Sequence, residues 1–138
     1  MRFTTEAAKV STLAAMETGV TVPVFADTQA SMSVISPQIE RLHRERYPNE
    51  LVSYLKERVP SGVHVGMHIC GYLDPIMEDI VELGLDFMEI DALSSLKKMV
   101  EVSKKELVVR GNIAAEMFLE GTKEEIEEAE RNCIEIAA

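Results

Sequence analysis

The sequence predicts an α/β fold: a leading helix, then four strand–helix units sharing one parallel sheet. Three observations carry this expectation. Short apolar runs of strand length alternate along the chain with longer segments of helical spacing, an order that sets strands parallel with helices laid across them. Gly19, Pro60-Ser61-Gly62, Gly71, Gly84 and Gly121 punctuate the run at the changes of period. No linker or low-complexity segment interrupts it, so residues 1–138 read as a single domain long enough to bury a core.

Taken in order, Thr4 or Thr5 can cap a first helix running to Glu17, with Ala8, Leu13, Ala14 and Met16 on its buried stripe and Gly19 as its stop. Residues 20–26 form the first strand, against which Pro23 is a mild objection. Ser36-Pro37 starts a helix that Pro48 should kink or split before it ends near Val59. The second strand covers 63–69. Asp74-Pro75 then opens a helix, as N-cap and first helical residue, that ends at Gly84. Residues 86–91 are the third strand, 93–103 a helix and 107–113 the fourth strand. A short helix over 114–119 precedes Thr122, which with Glu125 makes a capping box for the last helix.

The second strand holds the most specific chemistry. In Val63-His64-Val65-Gly66-Met67-His68-Ile69-Cys70-Gly71 the apolar residues alternate with His64, Gly66, His68 and Cys70. His68 and Cys70 therefore share a face at the strand's C-terminal end. An imidazole nitrogen beside a thiolate can form half of a tetrahedral zinc site. The other strands also finish on polar residues: Asp27, then Asp91, then Arg110 and Asn112. These are expected on one face, with Met88 and Ile90, or Leu107, Val109 and Ile113, on the other. In a (β/α) barrel the inner face and C-terminal rim carry the chemistry.

Composition narrows the function. A net charge of −10 repels nucleic-acid phosphates and anionic lipid, so neither is an expected partner. The chain shows no long apolar run and no signal peptide, and its two cysteines make no disulfide framework, so the expected location is the cytoplasm.

Together these residues resemble the uroporphyrinogen decarboxylase superfamily, and within it the zinc-dependent corrinoid:thiol methyltransferases such as methylcobamide:coenzyme M methyltransferase. The matching pieces are Ala26-Asp27-Thr28-Gln29-Ala30-Ser31 with Ile35-Ser36-Pro37, His68-Ile69-Cys70-Gly71, Glu89-Ile90-Asp91, Gly111-Asn112-Ile113 and Gly121-Thr122-Lys123-Glu124-Glu125-Ile126. His-Ile-Cys-Gly favours the methyltransferases, because the decarboxylases work without metal. Two departures accompany the match. Ala114-Ala115 stands where the family usually carries Asp-Pro, and the chain corresponds to the later half of the barrel without its last strand. In the methyltransferases that strand brings a third ligand, a second Cys. Cys133 is not that residue; it lies in the final helix and reads as a packing cysteine.

The resemblance implies one half of a TIM-type (β/α) barrel. It also implies zinc on His68 and Cys70, held weakly or not at all in this chain for want of a third ligand. The methyl donor would be a corrinoid, as methylcobalamin or a corrinoid protein, and the acceptor a small thiol such as coenzyme M. Asp27, Asp91 and Asn112 are candidates for supporting the ligands or positioning the thiol's polar tail, although Asp91 can equally end its strand by capping the Leu93 helix. A half-barrel also implies a homo-oligomer or a partner half-barrel. Metal-free tetrapyrrole decarboxylation and a non-catalytic truncated subunit are the alternatives.

Overall fold

The computed structural model describes residues 2–104 and 106–138. Strands β1 (Val24–Ala26), β2 (Gly66–Ile69), β3 (Phe87–Ile90) and β4 (Val108–Arg110) form one sheet in sequential order. Every neighbouring pair is parallel. Helices α1 (Arg2–Glu17), α2 (Pro37–Arg46), α3 (Pro48–Lys56), α4 (Met77–Val81), α5 (Leu96–Ser103), α6 (Met117–Glu120) and α7 (Lys123–Ala137) alternate with them. The expected α/β half-barrel architecture is therefore present.

The period of two sorts the sheet's faces. Met67, Ile69, Met88 and Ile90 are buried against Leu51, Val52 and Leu55 of α3, Met77 and Ile80 of α4, and Leu96 and Met99 of α5. This layer between sheet and helices is the core. The opposite face is more open: Val24 and Val108, on the two edge strands, are 43% and 64% exposed. Phe87 is the exception, 5% exposed because its ring lies across Gly66, where a side chain would collide with it.

Several boundaries differ from expectation for identifiable reasons. β1 is shorter than 20–26 because Pro23 has no N–H to donate, although Thr21 and Pro23 still accept from His64 N at 2.8 Å and Gly66 N at 3.0 Å. β4 stops at Arg110, because Gly111 takes φ +117° and passes so near the Ile90 carbonyl that a Cβ would lie 2.5 Å from its oxygen. Pro48 splits rather than kinks its helix, the break falling at Tyr47.

Caps are corrected at three places. α1 starts at Arg2, so Thr4 and Thr5 lie inside its first turns, and Ala14 is exposed rather than part of the buried stripe. Asp74 does not cap its own helix: residues Asp74–Ile76 form a 3-10 turn, and the Asp74 carboxylate accepts from Ser95 N at 2.8 Å instead. α5 begins at Leu96 rather than 93, capped by Ser95, whose hydroxyl accepts from Lys98 N. Ser36 and the Thr122–Glu125 capping box stand as expected.

Candidate metal and active site

Strand register brings the polar residues of the open face into one row. Ala26 of β1 pairs with His68, His68 with Glu89 of β3, and Glu89 with Arg110 of β4. Small, imidazole, carboxylate and guanidinium side chains thus lie side by side across four parallel strands, one layer above Phe87 and Gly66.

His68 and Cys70 meet as their spacing predicts, with Nε2 3.0 Å from Sγ. Cys70 leads directly into Gly71, whose φ of +86° makes the turn. That turn is clamped on two sides. Ser33 Oγ accepts from Tyr72 N at 3.1 Å, and Met32 N donates to Tyr72 O at 2.9 Å, both from the loop after β1. From the loop after β3, Ser94 Oγ donates to Gly71 O at 2.8 Å and accepts from Leu73 N at 3.0 Å. A residue with a Cβ at position 71 would stand 2.6 Å from Ser31 Oγ and 2.7 Å from Ser33 Oγ, besides carrying an unfavourable φ. The backbone that carries Cys70 is therefore held by its neighbours as well as by its strand.

The remaining candidates divide. Asn112 joins the clamp: its Nδ2 donates to Ser94 O at 2.6 Å and to Asp91 O at 3.3 Å. Asp91 Oδ1 accepts from Leu93 N at 2.9 Å, which ties down the loop before α5 without capping the helix. Asp27 does not join the row. Ala26 is the last residue of β1 on the His68 face, and the Asp27 carboxylate turns to α2, where Oδ2 meets His43 Nε2. Together with Phe25, Tyr47 and Leu51 this pair lines a separate cavity of about 340 Å³.

Glu89, quoted above only within a matching piece and not as a candidate site residue, touches its neighbours in the row on both sides. Oε1 lies 2.7 Å from Arg110 Nη1, and Oε2 lies 3.5 Å from His68 Nδ1. The alternation Phe87, Glu89, Asp91 against Met88 and Ile90 is the signal that marks it. Cys133 packs partly buried against the core from α7, as a packing cysteine should. Among the described residues no three His, Cys, Asp or Glu side chains converge to hold an ion.

Four parallel strands in one sheet, with helices between them and an imidazole–thiol pair at the C-terminal end of the second, define a partial (β/α) barrel. The comparisons narrow the class. The family model for uroporphyrinogen decarboxylase (URO-D) matches residues 1–138, and the chain belongs to that family. Among solved structures it resembles a methyltransferase from Methanosarcina mazei, with a TM-score of 0.83 and 25% sequence identity over 96% of this chain. The match spans 38% of the length of that methyltransferase. None of the curated proteins matches the sequence.

Proposed function

We propose that this chain is the ligand-bearing part of a methyltransferase that moves a methyl group from a corrinoid to a zinc-activated thiol. The observation that carries this reading is the 3.0 Å approach of His68 Nε2 to Cys70 Sγ on the barrel's inner face. The pair fits zinc by its donor chemistry: nitrogen and sulfur side by side suit two corners of a tetrahedral site. Its third protein donor has to come from outside the described residues, from further strand–helix units or a second subunit. Bound zinc would supply the chemistry of turning a thiol, ordinarily protonated below a pKa of about 8.5, into a nucleophilic thiolate.

The chain's own residues would act around that thiol. His68 and Cys70 serve as ligands, not as acid or base. Ser94 and Asn112 hold the turn behind Cys70, and Phe87 over Gly66 forms the floor of the site. The thiolate sulfur, its proton given up to solvent, would attack the methyl carbon of methylcobalamin or of a corrinoid protein. The new C–S bond replaces the Co–C bond, whose electron pair remains on cobalt, and the products are a thioether and cob(I)amide. Coenzyme M is the thiol that the family resemblance suggests. Asp91 lies by the Asn112 clamp, whereas Asp27 would act only from the α2 side.

The sheet edges support an assembly. β1 and β4 end the sheet with Val24 and Val108 open to solvent, an arrangement that further strands or a second copy would cover. Light scattering showing a stable monomer at tens of micromolar, roughly where specific association is already evident, would count against self-association.

The functional test is the loss of methylcobalamin absorbance with a small thiol and zinc. Activity is expected where the remaining barrel units are supplied and near background without them. Metal-independent release of carbon dioxide from a tetrapyrrole carboxylate would instead favour the decarboxylase chemistry for which the family is named.

A further inference from the structure

We propose that Glu89 is a positioning residue that sets the tautomer of His68, with Arg110 holding its carboxylate in place. The inference rests on the reading of His68 and Cys70 as metal ligands and adds the group that prepares the imidazole for that task.

Three observations lead to it. First, His68 presents Nε2 to Cys70 Sγ at 3.0 Å, so Nε2 is the nitrogen that faces the sulfur and any shared ion. A neutral imidazole that offers Nε2 as a ligand must carry its proton on Nδ1. Secondly, Nδ1 is buried and has no hydrogen-bond partner within normal reach. A buried N–H left so is costly, and the nearest acidic oxygen is Glu89 Oε2, 3.5 Å away. A closure of roughly 0.6 Å would bring it to the usual N–H···O separation. Thirdly, Oε1 of the same carboxylate is occupied by Arg110 Nη1 at 2.7 Å, which leaves Oε2 as the oxygen facing the ring. Register explains why all three meet: His68, Glu89 and Arg110 are direct partners across β2, β3 and β4.

A ligating histidine whose far nitrogen donates to a carboxylate is fixed in orientation and made more basic, and loss of such a partner weakens metal affinity about 10- to 100-fold. Glu89→Ala should therefore weaken cobalt(II) binding, followed by its thiolate charge-transfer absorption, by about that factor. Glu89→Gln, whose amide oxygen still accepts, should lose less. Arg110→Ala should fall between Glu89→Gln and Glu89→Ala, because the carboxylate survives but loses its hold.

Nitrogen-15 NMR of the metal-free chain, at a pH where the ring is neutral, provides the readout that a purely structural role would not move. Wild type should show His68 protonated on Nδ1, and Glu89→Ala should shift protonation toward Nε2. A wild-type ring protonated on Nε2, or an unchanged tautomer in a folded Glu89→Ala protein, would overturn the proposal, whereas Glu89→Gln should keep the wild-type tautomer. A tautomer shift in Glu89→Ala, with no cobalt bound by the wild-type chain even when the remaining barrel units are supplied, would sink the metal reading and leave the role of Glu89 standing.

Discussion

The ring of Phe87 lies over Gly66 so closely that a Cβ built on the glycine would collide with the ring atoms Cζ, Cε1 and Cε2. Gly66 pairs with Phe87 in the β2–β3 ladder, so one residue's missing side chain is the space the other fills. This contact forms the floor under His68 and Glu89, one layer further along the same strands.

Gly66→Ala should accordingly destabilise the fold by overpacking, by about 1–3 kcal/mol. Gly66 has no positive φ, so the cost is steric, and Phe87→Leu in the same chain should recover part of it. Denaturant unfolding of the two single variants and the double variant measures this. A Gly66→Ala protein as stable as wild type would mean that the ring moves aside freely.

Glu40 gives a pH signature. It is buried on α2, and burial pushes its carboxyl above the ordinary glutamate value, against the opposing pull of Arg44, whose Nε lies 3.6 Å from Oε1. With the folded pKa raised, the folded chain keeps this proton after the unfolded chain has released it. Folding stability from this group is thus fully present below about pH 4.3, the unfolded value, and falls as pH rises toward the folded one. Glu40→Gln should remove that decline. Unfolding curves taken from pH 4 to pH 7 (roughly the span across which ordinary glutamates ionise) should show wild type losing stability relative to the variant. Parallel curves for the two proteins would contradict the account.

The last helix rests on its cap. Thr122 Oγ1 accepts from Glu125 N at 3.3 Å, and Glu125 Oε2 accepts from Thr122 N at 2.7 Å. Thr122→Ala should cost about 1 kcal/mol, the usual loss for an N-cap. Because α7 packs on α5, calorimetry should register the change as a lowered Tm of the whole domain rather than as local fraying. An unchanged Tm would show that α7 is not coupled to the core.

Much of this arrangement is legible in the residues, and the failures have physical causes. The alternation around His68 and Cys70 placed both on one face because a strand's period of two needs no knowledge of its neighbours. Asp27 was expected on that face too. Its side depends on register, and only the pairing of Ala26 with His68 shows that residue 27 falls opposite. Glu89 was hidden for a different reason: it precedes the strand's last polar residue, and its value lies in cross-strand partners on β2 and β4. Asp74 has the right residues after it for a cap, but the amide of Ser95, distant in sequence, takes its carboxylate. The end of β4 at Gly111 likewise reflects the Ile90 carbonyl pressed against it, which no local pattern records.

The most direct test of the central claim is cobalt(II) absorption of the chain and of two cysteine variants. With excess cobalt, the wild-type chain should develop a thiolate-to-metal charge-transfer band, weakly held because only His68 and Cys70 bind. Cys70→Ala should abolish that band, and Cys133→Ala should leave it intact. A band that survives Cys70→Ala, or disappears with Cys133→Ala, would contradict the assignment of the site to the end of β2.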